Sequence, residues 1–480
     1  MNVLKGLENP LVKKAYQFAI LSLAGKKRYS GEDFSNHCLK VAAVLERFKV
    51  FDPTTLSVAI LHHSFSDSAA TVSDIEKEFG PEIAAMLGTL DKLRVIKLVE
   101  TSKKEFAENL RQMFLTLARD LRIVLIKLAD IYDNLQTLKY LPEQKRVELA
   151  KETIEIFAPL TERLGIGEMK GQMQDLAFEY LYPTDYKKTL KLLDTSLSRL
   201  DKALLKIKSK LNITLGEEKI DYRLESRTKH IYSLFTKQQR PEINFNINRI
   251  YDLIACRIIV KNTEDCYRVL GIVHKLWRPL PDSVRDYIAN PKPNGYRSIH
   301  TTVLGPGDAP FEIQIRTEGM HEEAEYGVAA HWHYSETKNL GAADEVLEKG
   351  TKVAGEKLKW VKNLSQWQKE VTDNEEFLKS VKTDFLGARI YVFTPKGDVI
   401  DLPEKATPID FAYKVHTRLG DLTTGAKLND RLVSLNTPLK NGDVCEIIIS
   451  KNPSKKPSRD WLKFVITSTA RRSIKRVHSD

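Results

Sequence analysis

Two apolar, β-branched stretches decide the fold of the central part of this chain: YDLIACRIIV at residues 251–260 and FEIQIRT at residues 311–317. Runs of this length and composition predict β-strands. Each stretch carries one acidic residue, Asp252 in the first and Glu312 in the second. Because strand side chains alternate between two faces, we expect the second stretch to present a polar face to a cleft. The residues on that face are Glu312, Gln314 and Arg316.

The acidic pair and the loop between the two strands predict a magnesium–nucleotide site. Magnesium is often held by one or two carboxylates together with substrate phosphates. The loop, DYIANPKPNGYRSIHTT at 286–302, is basic and places Gly295 beside Tyr296. Glycine lets a base approach the backbone, and the tyrosine ring offers a stacking face. The alternative is structural, with each carboxylate in a salt bridge to a neighbouring arginine, Arg257 or Arg316.

A basic segment precedes the acidic pair. SRTKHIYSLFTK at 226–237 follows a predicted strand and enters a predicted helix, with Arg227 and His230 near the junction. Three further side chains recur at four-residue spacing along one helix face. They are Lys229, Ser233 and Lys237. We expect this segment to grip nucleotide phosphates, and the alternative is an exposed amphipathic helix. The sequence contains no GxxxxGK[ST] motif, so a P-loop is not the cradle.

The size and charge of the chain set broad limits. Its 480 residues exceed one usual hydrophobic core and predict two to four domains. The formal net charge of +11 favours an anionic partner such as a nucleotide or RNA. The four scattered cysteines indicate neither a disulfide framework nor a zinc site. Neither a signal-peptide layout nor an apolar stretch of membrane-span length is present, so we expect a cytoplasmic protein without membrane contact.

Hydrophobic periodicity predicts a multidomain α+β protein. Residues 1–195 have helical spacing and predict an all-α domain, whereas residues 196–340 mix short strands with helices in an α/β domain. Residues 341–388 are charged and predict a helical linker. Residues 389–450 offer strands around a Pro-Lys-Gly turn, a short helix and a final strand, as in a β-grasp unit. Residues 451–480 contain nine Lys or Arg against two Asp, which suits RNA or a solvated tail.

These stretches, together with AEYGVAAHWHY at 324–334, resemble the long Rel/SpoT-type (p)ppGpp synthetase–hydrolase family. The resemblance covers nearly the whole chain. It implies a nucleotidyltransferase-like synthetase domain at 196–340, which transfers pyrophosphate from ATP to the 3′-hydroxyl of GDP or GTP in the stringent response. Mg²⁺ is the implied cofactor. Arg285, in PDSVRD at 281–286, resembles the basic form of the family's specificity segment, so we expect GDP to be used at least as readily as GTP.

The same resemblance implies a role for each motif residue. Asp252 and Glu312 would hold Mg²⁺, and Glu312 would also assist the attacking hydroxyl. Arg227 would lie against the adenine. The other implied ATP-binding residues are Lys229, His230, Ser233 and Lys237. Tyr296 would stack on guanine. The other implied GDP- or GTP-binding residues are Lys292, Asn294 and His300.

The first 195 residues resemble the family's HD-type phosphohydrolase domain. The matching stretches are NHCLKVA (36–42), AILHHSFSDSAAT (59–71), LIKLADIYDNLQTL (125–138) and ETIEIFAPLTERLGI (152–166). In such a site, histidines and two aspartates surround a metal that activates a water molecule. The resemblance implies an Mn²⁺ site. Its ligands would be His37, His62, His63 and Asp130, with His63 replacing the aspartate of the family's His-Asp pair.

Three further departures affect the hydrolase. Ser66 stands where the family has a glutamate, and Ile131 and Asp133 replace an arginine and a histidine. We therefore expect hydrolase activity to be absent or much reduced and the domain to be regulatory. Asp130 lies among apolar residues, where an unpaired carboxylate would be costly. Either a retained metal or a structural hydrogen-bond network satisfies it.

Residues 389–450 resemble the family's TGS domain, which senses uncharged tRNA on the ribosome. His416 falls at the position that meets the tRNA 3′ end, or else it is an ordinary surface histidine. Residues 451–480 would begin a truncated helical domain, in either a shortened or a naturally short form. Two other functions stay open: a bifunctional synthetase and 3′-pyrophosphohydrolase in which His63 binds the metal, and a catalytically silent RNA-binding regulator.

Overall fold

The computed structural model describes residues 4–68, 70–94, 103–240, 243–246, 249–281, 283–292, 294–306, 310–328 and 374–478. The chain divides into two compact units, residues 1–285 with 298–370 and residues 286–297 with 371–480. Most of the helical linker predicted at 341–388 lies outside the described residues. In the described part of the chain, no helix combines the length and apolar character that crossing a bilayer requires.

The all-α region predicted from the helical spacing is confirmed. Its helices are α1 (Pro10–Ser22), α2 (Phe34–Arg47), α3 (Pro53–Ser66), α4 (Val72–Phe79), α5 (Pro81–Arg94), α6 (Lys103–Arg119), α7 (Leu121–Gln136), α8 (Glu143–Glu152), α9 (Ala158–Arg163), α10 (Gly167–Leu181) and α11 (Pro183–Glu217). Most of α7 is buried because it packs against α2, α3 and α6. The 35-residue helix α11 is continuous, so the predicted boundary between residues 195 and 196 falls inside it.

A mixed sheet follows α11, as the Ile- and Val-rich runs predict. Its elements are β1 (Tyr222–Thr228), α12 (Ile231–Gln238), β2 (Ile254–Val260), α13 (Thr263–Leu276), β4 (Ile299–Leu304), β5 (Pro310–Thr317) and α14 (Glu318–Tyr326), with the two-residue β3 (Arg285–Asp286) at the border of the units. The strand order is β1-β2-β5-β4, and β2 and β5 run parallel at its centre. Because they are parallel neighbours, their first residues lie at the same edge of the sheet.

The prediction that Gln314 and Arg316 face a cleft beside Glu312 is wrong. Gln314 is 3% exposed and Arg316 is 1% exposed. Helix α14 folds back onto β5 and supplies the partners that a buried guanidinium requires. Arg316 Nη2 donates to Glu325 Oε1 at 2.8 Å and lies 2.7 Å from Nδ1 of His321. The β5 stretch therefore offers only Glu312 to the site.

The second unit contains the predicted strand pair, short helix and final strand of a β-grasp unit, together with further elements that were not predicted. Its elements are α15 (Asn374–Ser380), β6 (Arg389–Phe393), β7 (Val399–Pro403), α16 (Pro408–Val415), α17 (Thr417–Leu422), β8 (Thr423–Leu428), β9 (Arg431–Val433), β10 (Cys445–Ile449) and α18 (Ser468–Val477). β6 pairs with β7, and β8 lies between β9 and β10. A parallel bridge from Phe393 to Val444 joins the two pairings. Phe411 of α16 packs with Val392, Leu402 and Cys445 in the core.

Asp410 ties α16 to the segment that precedes α18. Its carboxylate is fully buried. One oxygen accepts from the backbone N and Oγ1 of Thr407, and the other accepts from Ile466 N, Thr467 N and Thr467 Oγ1, at 2.8–3.0 Å. Five donors converge on one carboxylate, so both of its oxygens must act as acceptors.

We expect Asp410→Asn to lower the free energy of unfolding by about 3 kcal/mol, because the amide nitrogen cannot accept the hydrogen bonds that one carboxylate oxygen receives. Guanidinium unfolding followed by tryptophan fluorescence measures the change. Asp430→Asn, at an exposed position of the same unit, is the matched control and should shift it by less than about 0.5 kcal/mol. Equal losses in the two variants would contradict this role for Asp410.

Candidate active site

Asp252 lies at the entrance to β2 and is held by two lysines. Lys229, directly after β1, donates to Asp252 Oδ2 at 2.7 Å, and Lys237, in the last turn of α12, donates to Oδ1 at 2.8 Å. Burial would raise the pKa of Asp252, but the two ammonium groups hold it well below its ordinary value. Burial lowers the pKa of Lys229, although Asp252 opposes the shift. The carboxylate is therefore ionised at neutral pH, with two cations aimed at it.

Glu312 lies near the start of β5, at the same edge of the sheet. Its Oε1 is 2.8 Å from Nδ1 of His300 on the adjacent strand β4. Burial would raise the pKa of Glu312, but the hydrogen bond from His300 brings it below its ordinary value. Repulsion from Asp252 and attraction to Lys229 also act on this pKa, as expected for neighbouring charges. The sequence-predicted residues Lys229, Lys237, Asp252, His300 and Glu312 thus share one edge of the sheet.

This edge suits a divalent cation bound together with phosphates. Asp252 and Glu312 supply ionised oxygen ligands of the kind that Mg²⁺ prefers, and the lysines can neutralise phosphate charge. The residues present therefore fit the cation. The alternative reading, in which Arg257 and Arg316 neutralise the two carboxylates, is wrong. Those arginines pair with other residues, Glu225 and Glu325 for Arg257 and Glu325 for Arg316.

His230 links the mixed sheet to the all-α region. Its Nδ1 is 2.7 Å from Asp175 Oδ2, and its Nε2 is 3.9 Å from Glu168 Oε2, both on α10. Gly171 makes this approach feasible, since a Cβ there would collide with the His230 ring. The ATP contact predicted for His230 stays a prediction. The same holds for Arg227, which is exposed on β1, and for Ser233, which is half-buried on α12.

The ion pairs of His230 predict a pH-dependent stability. Burial would lower the pKa of His230, but Asp175 and Glu168 raise it to about 9. Because the folded-state pKa lies above the unfolded value of about 6.5, the stabilisation is complete below that pH and is lost as the pH rises through 9. The loss should approach about 3 kcal/mol. Urea unfolding of the chain and of His230→Gln at pH 6.5 and 9.5 measures it.

In His230→Gln this decrease between the two pH values should disappear, whereas His478→Gln, at an exposed histidine near the end of α18, should keep it. Equal pH dependence in His230→Gln and the unmodified chain would refute the assignment.

The loop predicted to bind guanine belongs to the second unit and forms a tight turn. Gly295 has a φ of +81°, which favours glycine. Asn294 Oδ1 accepts a hydrogen bond from Tyr296 N at 3.2 Å. Lys292 Nζ lies 5.1 Å from the centre of the Tyr296 ring and 4.9 Å from that of Tyr391 in β6. The roles of Lys292, Asn294 and Tyr296 in GDP or GTP binding stay predictions.

Four residues of the all-α region converge as the resemblance implied. His37 from α2, His62 and His63 from α3, and Asp130 from α7 each offer one ligand atom, and these atoms lie within 4.8 Å of one another. His37 Nε2 is 3.3 Å and His62 Nε2 is 3.9 Å from Asp130 Oδ1. Burial holds the pKa of His62 well below its ordinary value, so its imidazole is neutral, as a metal ligand must be. This donor set fits a divalent cation.

The surroundings of Asp130 are compatible with both alternatives that the sequence left open, a metal site and a structural hydrogen-bond network. Besides the histidines, Asp130 has Lys127 Nζ at 3.0 Å from Oδ2 and the amide of Asn134 donating to Oδ1 at 2.7 Å. A cavity of about 470 Å³ opens beside this cluster. Arg28 lines the cavity, but its guanidinium donates to Asp133 Oδ2 at 2.9 Å and to Asn134 Oδ1 at 2.6 Å. The carboxylate thus belongs to a hydrogen-bond network and also faces potential metal ligands.

His416 is exposed in the second unit, at the N-terminus of α17. Its Nδ1 accepts a hydrogen bond from the backbone N of Arg418 at 3.2 Å, which places the ring proton of the neutral form on Nε2. A solvent-facing N–H donor is compatible with a contact to a nucleotide. The predicted contact with tRNA stays a prediction.

Three family models match segments of the chain in the order expected. An HD domain model matches residues 15–167, the model described as a region found in RelA / SpoT proteins matches residues 226–339, and a TGS domain model matches residues 390–449. A GTP pyrophosphokinase of Streptomyces coelicolor is 40% identical over 471 residues, which cover 97% of this chain and 55% of that protein. The chain belongs to the RelA/SpoT family.

Other family relatives carry different activity names. The guanosine-3′,5′-bis(diphosphate) 3′-pyrophosphohydrolase of Aquifex aeolicus is 40% identical over 465 residues, covering 97% of this chain and 64% of the relative. The bifunctional (p)ppGpp synthase/hydrolase SpoT of Escherichia coli is 39% identical over 466 residues, with the same two coverages. The chain spans 55–64% of the length of these curated relatives. Family membership therefore does not decide between synthetase and hydrolase activity, and the site residues must be considered for each.

Sequence reasoning missed the partners that orient the family's site residues. Asp67 lies four residues after His63, directly after α3, and its carboxylate is 2.6 Å from Nδ1 of the His63 ring; this spacing of one helical turn could have indicated the contact. The carboxylate of Asp133 lies 2.7 Å from Nδ1 of His37, whereas the sequence indicated only that Asp133 replaces a histidine of the family. Asp175 bonds His230 across 55 positions, and no local pattern signals such a contact.

Proposed function

We propose that the chain transfers the pyrophosphoryl group of ATP to the 3′-hydroxyl of GDP or GTP, which yields ppGpp or pppGpp and AMP. The observation that carries this proposal is the convergence of Lys229, Lys237, Asp252, His300 and Glu312 at one sheet edge. Transfer of a phosphoryl-type group depends on alignment and charge neutralisation rather than covalent help from the protein. Ammonium groups and ionised carboxylates at one edge are suited to that task.

Each residue has a part in the proposed transfer. The bond between the α- and β-phosphates of ATP breaks, and a new bond joins the β-phosphorus to the 3′-oxygen of the acceptor. Lys229 and Lys237 would leave Asp252 for the ATP phosphates, since a triphosphate carries more negative charge than one carboxylate. Mg²⁺, when bound by Asp252 and Glu312, neutralises charge on the migrating group. Glu312, ionised because its pKa is lowered, accepts a hydrogen bond from the 3′-hydroxyl and orients it.

His300 keeps Glu312 in place for this role. The hydrogen bond between them, at 2.8 Å, fixes the carboxylate on the neighbouring strand. The acceptor nucleotide would be held by Lys292, Asn294 and Tyr296, and the adenine by Arg227. We further propose that GDP is used at least as readily as GTP, in keeping with the basic segment that contains Arg285.

The proposal also includes loss of the 3′-pyrophosphohydrolase. The four cluster residues remain, but Ser66, Ile131 and Asp133 replace groups that the family uses for catalysis or substrate binding. In the structure Asp133 holds the His37 ring and Arg28, so it serves the local network. The all-α region would then regulate the synthetase through contacts such as that of His230 with α10. The TGS region would engage uncharged tRNA on the ribosome through His416.

Incubation of the chain with ATP plus GDP, and separately ATP plus GTP, in Mg²⁺ tests the proposal. Anion-exchange chromatography should reveal ppGpp in the first reaction and pppGpp in the second, each with an equal amount of AMP. Omission of the guanine nucleotide is the control and should leave ATP intact. If neither product forms under any combination, the synthetase assignment is wrong and a silent regulator becomes the better description.

A further inference from the structure

The three histidines of the all-α cluster have the same hydrogen-bonding arrangement. Each ring has its Nδ1 engaged by an oxygen acceptor. The acceptors are Asp133 Oδ2 at 2.7 Å for His37, Ala59 O at 2.6 Å for His62, and Asp67 Oδ2 at 2.6 Å for His63. An acceptor at Nδ1 places the ring proton there and makes Nε2 the metal-ligating nitrogen. Carboxylate or carbonyl acceptors behind ligating histidines are typical of metal sites.

Asp130 completes the cluster as an oxygen ligand. Its Oδ1 is the atom that faces His37 Nε2 and His62 Nε2, at 3.3 and 3.9 Å. Lys127 neutralises the other oxygen, Oδ2, at 3.0 Å. Four donors from three helices, all within 4.8 Å of one another, could close around one cation. Three of them are imidazole nitrogens and one is a carboxylate oxygen.

This donor set differs from that of the family's own HD-type site. An HD-type site has two histidines and two aspartates, and its carboxylates suit Mn²⁺, which prefers oxygen ligands. His63 exchanges one carboxylate for an imidazole, and Asp67 supplies the acceptor that fixes the new ring. Three nitrogens and one oxygen in a compact group match the four-coordinate preference of Zn²⁺. We propose that the cluster is a zinc site, formed by His37, His62, His63 and Asp130, that selects Zn²⁺ over Mn²⁺.

The zinc site would be structural. The bound zinc would hold together α2, α3 and α7, the three helices that supply the ligands. The site would lack the groups that a hydrolase needs. This inference is independent of the synthetase proposal, because none of its ligands belongs to the sheet edge that carries Asp252. Failure of one proposal therefore leaves the other untouched.

Metal titration of the whole chain tests the selectivity. After dialysis against a chelator, calorimetry with ZnCl₂ should give one tight site per chain, with an affinity at least about 100-fold above that for MnCl₂. The His63→Asp variant restores the family's donor set, and we expect its Zn²⁺ affinity to fall by about 10-fold or more while its Mn²⁺ affinity holds or rises. His478→Ala, a control at a histidine outside the cluster, should bind both metals like the unmodified chain.

A second variant separates ligation from folding. Asp67→Ala keeps all four ligands but removes the acceptor behind His63, so its Zn²⁺ affinity should fall by about 10-fold. Co²⁺ added to the metal-free chain should give the strong visible absorption of a four-coordinate site. This absorption should be weaker in His63→Ala. Circular dichroism of every variant verifies the fold. The proposal is overturned if the folded chain binds no stoichiometric Zn²⁺, or if His63→Asp and Asp67→Ala bind Zn²⁺ as tightly as the unmodified chain.

Discussion

Glu312→Gln and Asp252→Asn should each reduce the turnover number for (p)ppGpp synthesis by roughly 1,000-fold, equivalent to about 4 kcal/mol of transition-state stabilisation. Both substitutions keep the size of the side chain and remove an ionised oxygen from the sheet edge. Glu312→Gln also replaces the charged acceptor of the 3′-hydroxyl by a weaker, neutral one, and Asp252→Asn leaves Lys229 and Lys237 without their shared counter-charge. Initial rates of AMP and ppGpp formation at saturating ATP and GDP provide the measurement.

The matched control for these variants is Glu318→Gln. Glu318 begins α14 directly after β5 and forms an exposed ion pair with Arg223 at 2.8 Å. Exposed pairs contribute little, so this variant should keep its activity within about two-fold. Thermal melting of all three variants verifies folding. If both Glu312→Gln and Asp252→Asn kept substantial turnover, the carboxylates would not form the catalytic site.

We expect the unmodified chain to release no measurable pyrophosphate from ppGpp with Mn²⁺; the Escherichia coli relative named as a bifunctional synthase/hydrolase, assayed beside it, is the positive control. The expected physical reason is that Ser66, Ile131 and Asp133 would not supply the groups that activate water and hold substrate phosphate. Metal bound by the remaining cluster cannot by itself supply those functions. Chromatography of ppGpp and its GDP product over time is the measurement.

Restoring the family pattern provides the converse experiment. The combined variant His63→Asp, Ser66→Glu, Ile131→Arg and Asp133→His should gain Mn²⁺-dependent hydrolysis by at least about 100-fold over the unmodified chain. His63→Asp alone should gain far less, since the other groups would still be missing. Rapid Mn²⁺-dependent loss of ppGpp with the unmodified chain would instead establish the bifunctional reading.

The sequence predicted the parts of the site that depend on local patterns. Short β-branched runs became β2 and β5, with Asp252 just before β2 and Glu312 within β5. The predicted spacing along one helix face is wrong for Lys229, which precedes α12, although Lys229 and Lys237 both reach Asp252. The family motifs selected His300 and Glu312, which lie beside each other, and the four cluster residues of the all-α region, which converge. The strands were predictable because their composition is a local signal, whereas the cluster was found through the resemblance.

Long-range packing decided what the sequence could not predict. Arg316 lies on the same face of β5 as Glu312, yet α14 covers Arg316 and provides Glu325 as its partner. The counter-ions of Asp252 are Lys229, directly after β1, and Lys237 of α12, whereas Arg257 pairs with Glu225 and Glu325. Of the acceptors behind the three histidines, those of His62 and His63 lie within four residues of their histidine, whereas Asp133 reaches His37 from another helix. The partners that the sequence did not indicate thus belong to other elements of the fold.

The identity of the adenine by-product tests the central claim most directly. Transfer of an intact pyrophosphoryl group breaks the bond between the α- and β-phosphates, so ATP must become AMP, whereas phosphoryl transfer or simple hydrolysis at the γ-phosphate would leave ADP. With ATP labelled at the γ-phosphate and unlabelled GDP, the account predicts label in ppGpp, AMP in equimolar amount, and neither product with Glu312→Gln. Accumulation of ADP with label in inorganic phosphate, or equal product from Glu312→Gln, would contradict it.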